Sequence, residues 1–93
     1  MYHLEPTTKF KKDLKKIKKA QKDFKAVVAV LKKLELGGVS EIPKFMLPHK
    51  LKGKYKDNWE CHIQPDLLII WFQVESPDVI KLIRIGSHSE LFK

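Results

Sequence analysis

The sequence predicts an α+β fold in which an N-terminal helical hairpin packs on a small antiparallel sheet. Three observations carry that expectation. Ahead of Gly37, apolar residues recur at helical spacing in two stripes separated by a break. Trp59 to Phe72 splits into an alternating run and a wholly apolar run around Gln64-Pro65-Asp66, which reads as two strands and a tight turn. A third run, Val79 to Ile85, follows the turn signal Ser76-Pro77-Asp78.

Taken in order, Tyr2 to Glu5 is a candidate first strand. Pro6-Thr7-Thr8 opens a helix, with either threonine suited to its N-cap. Phe10, Leu14 and Ile17 form its apolar stripe. Ala20 to Asp23 reads as a bend, with Asp23 as a second cap. Phe24, Val27, Val28, Leu31 and Leu34 form the next stripe, and Gly37-Gly38 ends it, because glycine accepts the left-handed conformation. Val39 to Pro48 reads as a proline-punctuated loop. In the first strand of the hairpin, Trp59, Cys61 and Ile63 share one face, and Glu60 and His62 the other. The run from Leu67 to Phe72 is apolar on both faces and predicts a central strand. Ile80, Leu82 and Arg84 are expected on one face of the last strand. Gly86 ends it, and Ser87 to Phe92 reads as a short tail.

At 93 residues the chain is expected to form one domain, 1–93. With 43% hydrophobic and 32% charged residues it is a globular composition, not a disordered one. The formal charge of +8 favours a polyanionic partner. The chain has 18 lysines and one arginine, Arg84, and nine of the lysines fall between Lys9 and Lys25. That run reads either as a solvated helix face or as a belt tracking a nucleic-acid backbone. A single cysteine, Cys61, precludes an internal disulfide. The opening Met1 to Pro6 has no apolar stretch of signal-peptide length, and no run approaches a membrane span. These features predict a cytoplasmic protein.

The meander places chemistry. Each strand reverses direction, so the strand ending near His62 and the one ending at Ile85 reach the same edge. His62, Asp66, Arg84 and His88 are therefore expected to be neighbours there. Histidine both takes and gives protons near neutral pH. Cleaving RNA by internal transesterification needs a base for the 2′-hydroxyl, an acid for the departing 5′-oxygen and positive charge at the phosphorane. It calls for no cofactor. A zinc site built from His49, His62, Asp66 and His88 lacks the short ligand spacings of common sites, so no metal is expected. Cys61 and His62 face opposite ways, which argues against a thiol dyad.

Three blocks carry a resemblance. His49-Lys50-Leu51-Lys52-Gly53, Glu60-Cys61-His62-Ile63-Gln64-Pro65-Asp66-Leu67-Leu68 and Arg84-Ile85-Gly86-Ser87-His88-Ser89-Glu90-Leu91-Phe92 resemble the signature of YafQ-type toxins in the RelE/ParE-like superfamily. The resemblance spans about Pro48 to Phe92. It implies a RelE-like fold, a helical hairpin on a small twisted antiparallel sheet. It implies an endoribonuclease that cuts mRNA on the ribosome, a cognate antitoxin, and a complex of the two on operator DNA. It implies His49, His62, Asp66 and His88 as the acid–base set, with His88 as the acid and Asp66 or His62 on the base side. Arg84 would stabilise phosphate charge, and Phe92 would stack on a base. Apart from the resemblance, Lys50, Lys52 and Lys54 lie in a basic patch, His49 to Lys56, and are expected to hold substrate. The antitoxin is expected to be acidic, matching the positive charge. A non-catalytic RNA- or ribosome-binding module would use the same basic surface. A gyrase-poisoning relative is a third reading, against which the histidines argue.

Overall fold

In the computed structural model, which describes residues 1–92, the first strand β1 (His3–Pro6) lies parallel to the last, β5 (Val79–Gly86). The sheet is therefore mixed, not purely antiparallel. A parallel neighbour requires a crossover, and helices α1 (Thr8–Ile17) and α2 (Gln21–Gly37) open the long connection that supplies it. The other strands are β2 (His49–Lys50), β3 (Trp59–Gln64) and β4 (Leu67–Val74), all paired antiparallel, and the sheet order is β1-β5-β4-β3-β2.

Thr7 caps α1: its hydroxyl oxygen accepts from the Phe10 amide at 3.2 Å and donates to the Leu82 carbonyl at 2.8 Å. One side chain thus starts the helix and ties it to β5. The bend before α2 forms, but its N-cap is Ala20, without a side-chain bond. Asp23 lies inside the first turn of α2, not at the cap position expected of it, where its charge suits the helix dipole. Gly38 ends α2 at φ 63°. That conformation favours glycine, and a Cβ there would also come 2.7 Å from the Gln73 amide oxygen and displace it. Gln73 uses that oxygen to accept from the Val39 amide and the Trp71 indole. The stretch read as a plain loop contains two 3-10 turns, Gly38–Glu41 and Lys44–Met46.

The helices cover one sheet face. Phe10, Val27, Val30 and Leu34 bury against Cys61, Ile69, Trp71, Ile80, Leu82 and Ile85. The opposite face carries a smaller cluster of Tyr55, Leu68, Ile70 and Leu91. Leu67 to Trp71 are all buried, as expected of a strand covered on both sides. Two bulges interrupt the ladder. Ile63 is unpaired between His62 and Gln64, where β3 enters its turn. Ile83 is unpaired because Ile70 faces Arg84 while Trp71 faces Leu82. The second bulge corrects an expectation. In a regular strand Arg84 would share the face of Ile80 and Leu82; the extra residue moves it to the other face. Among the described residues no helix is long and apolar enough to cross a membrane.

Candidate active site

Two cross-strand rows on the face away from the helices build the site. The first runs His49, Glu60, Ile70, Arg84 across β2, β3, β4 and β5. The second, next to it, runs His62, Leu68, Gly86. Directly paired residues project to the same face, so the rows put His49, His62 and Arg84 on one surface. β5 then ends, and the segment read as a tail folds into a single turn, α3 (His88–Leu91). Ser87 caps it. Its hydroxyl oxygen accepts from the Glu90 amide at 3.3 Å, and its own amide donates to the Glu90 carboxylate at 2.8 Å. That second bond holds the Glu90 carboxyl below the usual range. Leu91 is buried and anchors the turn onto Leu68 and Ile70.

The tip of the β3–β4 hairpin meets this turn. The His88 backbone amide donates to Asp66 Oδ1 at 3.1 Å. Strand order alone required that meeting, and the structure brings His62, Asp66 and His88 to one edge as read. His62 is half-buried, while Asp66 and His88 are exposed. Phe92 packs against the His88 ring at 4.9 Å and edge-on to Tyr55 at 5.6 Å. An open cleft of about 370 Å³ adjoins His62, lined by Phe45, Leu47, Ile63, Gln64 and Pro65. Its mouth exposes Phe45 and Leu47.

His49 is reached from the edge strand. Its Nδ1 donates to the Leu47 carbonyl at 2.8 Å, and its Nε2 lies 3.4 Å from Glu60 Oε1. Lys50 departs from expectation: it pairs with Trp59, so it projects to the sheet face opposite His49, with its ammonium 5.6 Å from the indole ring. Lys52 and Lys54 are exposed in the following turn.

Arg84 is not a free cation. Its Nε and one terminal nitrogen fork onto Asp13 of α1 at 2.7 and 3.1 Å, and Asp13 also accepts from the Ile85 amide at 3.1 Å. Asp13 pushes the guanidinium even further from losing its proton. The partner thus comes from the lysine-rich helix α1, not from an acid beside Arg84 on the sheet. The pair floors a cleft of about 320 Å³ walled by Lys9, Lys12 and Lys16.

Sequence reasoning assigned neither Asp13 nor Glu60 to the site. For Glu60 a signal existed: alternation puts it on the face of His62. It is 4% exposed, and burial pushes its carboxyl up, opposed by the nearby His49, His62 and His88. Cys61 points into the helix-covered core, and burial there pushes its thiol up to about 12, which disables it as a nucleophile. Among the described residues no three histidine, cysteine, aspartate or glutamate side chains converge as a metal site.

The family described as the bacterial toxin of the type II toxin–antitoxin system, YafQ, matches residues 2–93. The mRNA interferase toxin YafQ of Escherichia coli (strain K12) is 26% identical over 89 residues, 96% of this chain and 94% of that protein. A metal-bound toxin from Helicobacter pylori superposes with a TM-score of 0.85 at 38% identity, over 99% of this chain and all (100%) of that one. The E. coli DinJ–YafQ toxin–antitoxin complex gives a TM-score of 0.85 at 24% identity, over 99% of this chain and 98% of that one, a likeness of fold.

Proposed function

The chain belongs to the YafQ family of bacterial toxins of type II toxin–antitoxin systems, and from that premise we propose that it is a ribosome-associated endoribonuclease acting on mRNA. The reaction is attack of a ribose 2′-hydroxyl on the adjacent phosphorus. A base takes the hydroxyl proton, the P–O5′ bond breaks, and an acid gives its proton to the departing oxygen. The products are a 2′,3′-cyclic phosphate and a 5′-hydroxyl. His49, His62, Asp66 and His88 form the acid–base set.

The observation that carries this reading is the convergence of His62, Asp66 and His88, tied by the 3.1 Å bond from the His88 amide to Asp66. His88 stands exposed on a capped turn, suited to reach a leaving oxygen as the acid. His62 sits half-buried on β3, and Asp66 has one oxygen engaged and one open, so either supplies the base side. Arg84 offers its remaining donors to phosphate, although Asp13 already offsets much of its charge. Phe92, with His88 beneath it, is placed to stack on a base. Lys52 and Lys54 contact the RNA backbone on the site side; Lys50 does so only around the sheet edge. The chemistry uses no metal and no cofactor, and the protein works in the cytoplasm. An acidic antitoxin neutralises the toxin, and the complex binds operator DNA, as a partner for so basic a surface should. The E. coli DinJ–YafQ toxin–antitoxin complex supports an antitoxin as partner.

The test is to incubate the protein with mRNA and translating ribosomes and to map the new ends. Cleavage is expected, reduced at least about a hundredfold by His88→Ala. Intact mRNA, or cuts indifferent to that substitution, would overturn the proposal. Salt-sensitive RNA binding without any chain cleavage would favour a non-catalytic binding module instead. Protein stripped with a chelator and returned to the same assay should cut at an unchanged rate. Recovery only on adding a transition metal would reject the metal-free chemistry.

A further inference from the structure

Glu60 is a buried carboxylate at this site, and the scheme above gives it no task. It lies on β3 directly across from His49 on β2, with its side chain 6% exposed. Oε1 is 3.4 Å from His49 Nε2. Oε2 is buried and bonds to no described residue. On the far side of the imidazole, Nδ1 lies 2.8 Å from the Leu47 carbonyl. A carbonyl oxygen only accepts, so Nδ1 carries a proton. Nε2 then either bears a second proton or presents a lone pair to Glu60. Two lone pairs facing each other repel, so the contact is favourable only with a proton between Nε2 and Oε1. An imidazolium beside a carboxylate and a neutral imidazole beside a carboxylic acid both satisfy this.

Burial points the same way. An ionised carboxylate with an orphaned oxygen is costly on a side chain this buried, and a shared proton relieves it. The titratable groups facing Glu60 come from three elements: His49 from β2, His62 from its own strand and His88 from α3. Across the sheet on β4 it meets Ile70, which offers neither charge nor hydrogen bond.

We propose that Glu60 is a positioning residue that acts through His49. The two side chains hold one proton between them, and Glu60 together with the Leu47 carbonyl sets the ring orientation and charge that His49 presents to RNA. The pairing stands on geometry alone; its catalytic consequence rests on the nuclease reading above. When His49 gains a proton from substrate or surrenders one to it, Glu60 keeps the charge of the pair compensated.

Two measurements test the idea. In the cleavage assay, Glu60→Gln keeps the side-chain volume and removes the charge. It should lower kcat about tenfold to a hundredfold, leave KM within about twofold, and move the pH–rate profile to lower pH. Glu60→Asp should restore part of the profile. A Glu60→Gln profile at the wild-type position would overturn the proposal. In the free protein, the carboxyl of Glu60, labelled with ¹³C, should titrate at higher pH in His49→Gln than in wild type, because a favourable charge has gone. An unmoved titration would equally overturn it. The second measurement involves no RNA, so a chain that cut no mRNA would sink the nuclease reading while leaving the pair open to this test.

Discussion

Arg84 and Asp13 show how a residue can be legible as a type and illegible as a contact. A lone arginine among lysines was visible in the sequence, and its nearness to the histidine edge followed from strand order. Its partner did not, because Asp13 lies 71 positions away on a helix that only tertiary packing brings to β5. The two side chains are 19% and 12% exposed, between the limits of a surface pair and a buried one. Asp13→Ala should therefore cost about 2 kcal/mol of stability, more than a surface pair and less than a fully buried one. Urea denaturation checks this, and a loss under about 0.5 kcal/mol would mean that the pair behaves as a solvated one. Glu60 makes the opposite kind of prediction. Its folded carboxyl titrates above its ordinary 4.5, so the native state holds that proton to higher pH than the unfolded chain does. Stability from this group is present below 4.5 and falls as pH rises through the raised value. Glu60→Gln should flatten that decline and leave the protein at least as stable at neutral pH, whatever it does to activity. Denaturation midpoints across a pH series decide the matter; a steeper decline in the variant would contradict it.

The elements that place the histidine edge are short, and their local chemistry sets them. α3 is a single turn, too short to persist alone, and its capping box, its bond to Asp66 and the buried Leu91 hold it. Ser87→Ala removes the side-chain half of the box and should cost about 1 kcal/mol. It should also reduce cleavage, since His88 is the first residue of the turn. A variant with weakened stability but full activity would show that Asp66 alone positions His88. The Glu90 carboxyl, held low by the Ser87 amide, contributes above its ordinary 4.5 and loses that contribution as pH falls through its lowered folded value. Its pH dependence is thus opposite in sign to that of Glu60. The sequence showed Ser87 and Glu90 at capping-box spacing, yet the segment read as a tail because one turn carries no periodicity. The Ile83 bulge was hidden for a different reason. A bulge adds one residue without changing the apolar character of a strand, and Val79 to Ile85 is apolar at both parities where it matters.

Across the whole molecule the charge of +8 favours a polyanionic partner. The lysines of α1 reach the Arg84 cleft on one side, and the turn after β2 carries Lys52 and Lys54 on the other. RNA lying across the site would meet both groups. Binding to RNA or ribosomes should weaken steeply with salt: about four phosphate contacts correspond to a log–log slope near −3. Filter binding between low and physiological salt measures it, and a slope near zero would remove the lysines from recognition. The same surface suits an acidic antitoxin, so the two ligands should compete.

By itself the sequence determined the class of fold, the order of its helices and hairpins, the chain's own positive charge and the meeting of His62, Asp66 and His88. Those follow from periodicity, turn chemistry and strand reversal, which are properties of neighbouring residues. Only the tertiary structure decided that β1 lies parallel to β5, that Arg84 turns to the site face and binds Asp13, that Lys50 turns away, and that Glu60 is enclosed against His49. Each of these depends on a register or a burial set by distant parts of the chain, and desolvation of a carboxylate exists only once those parts have packed around it.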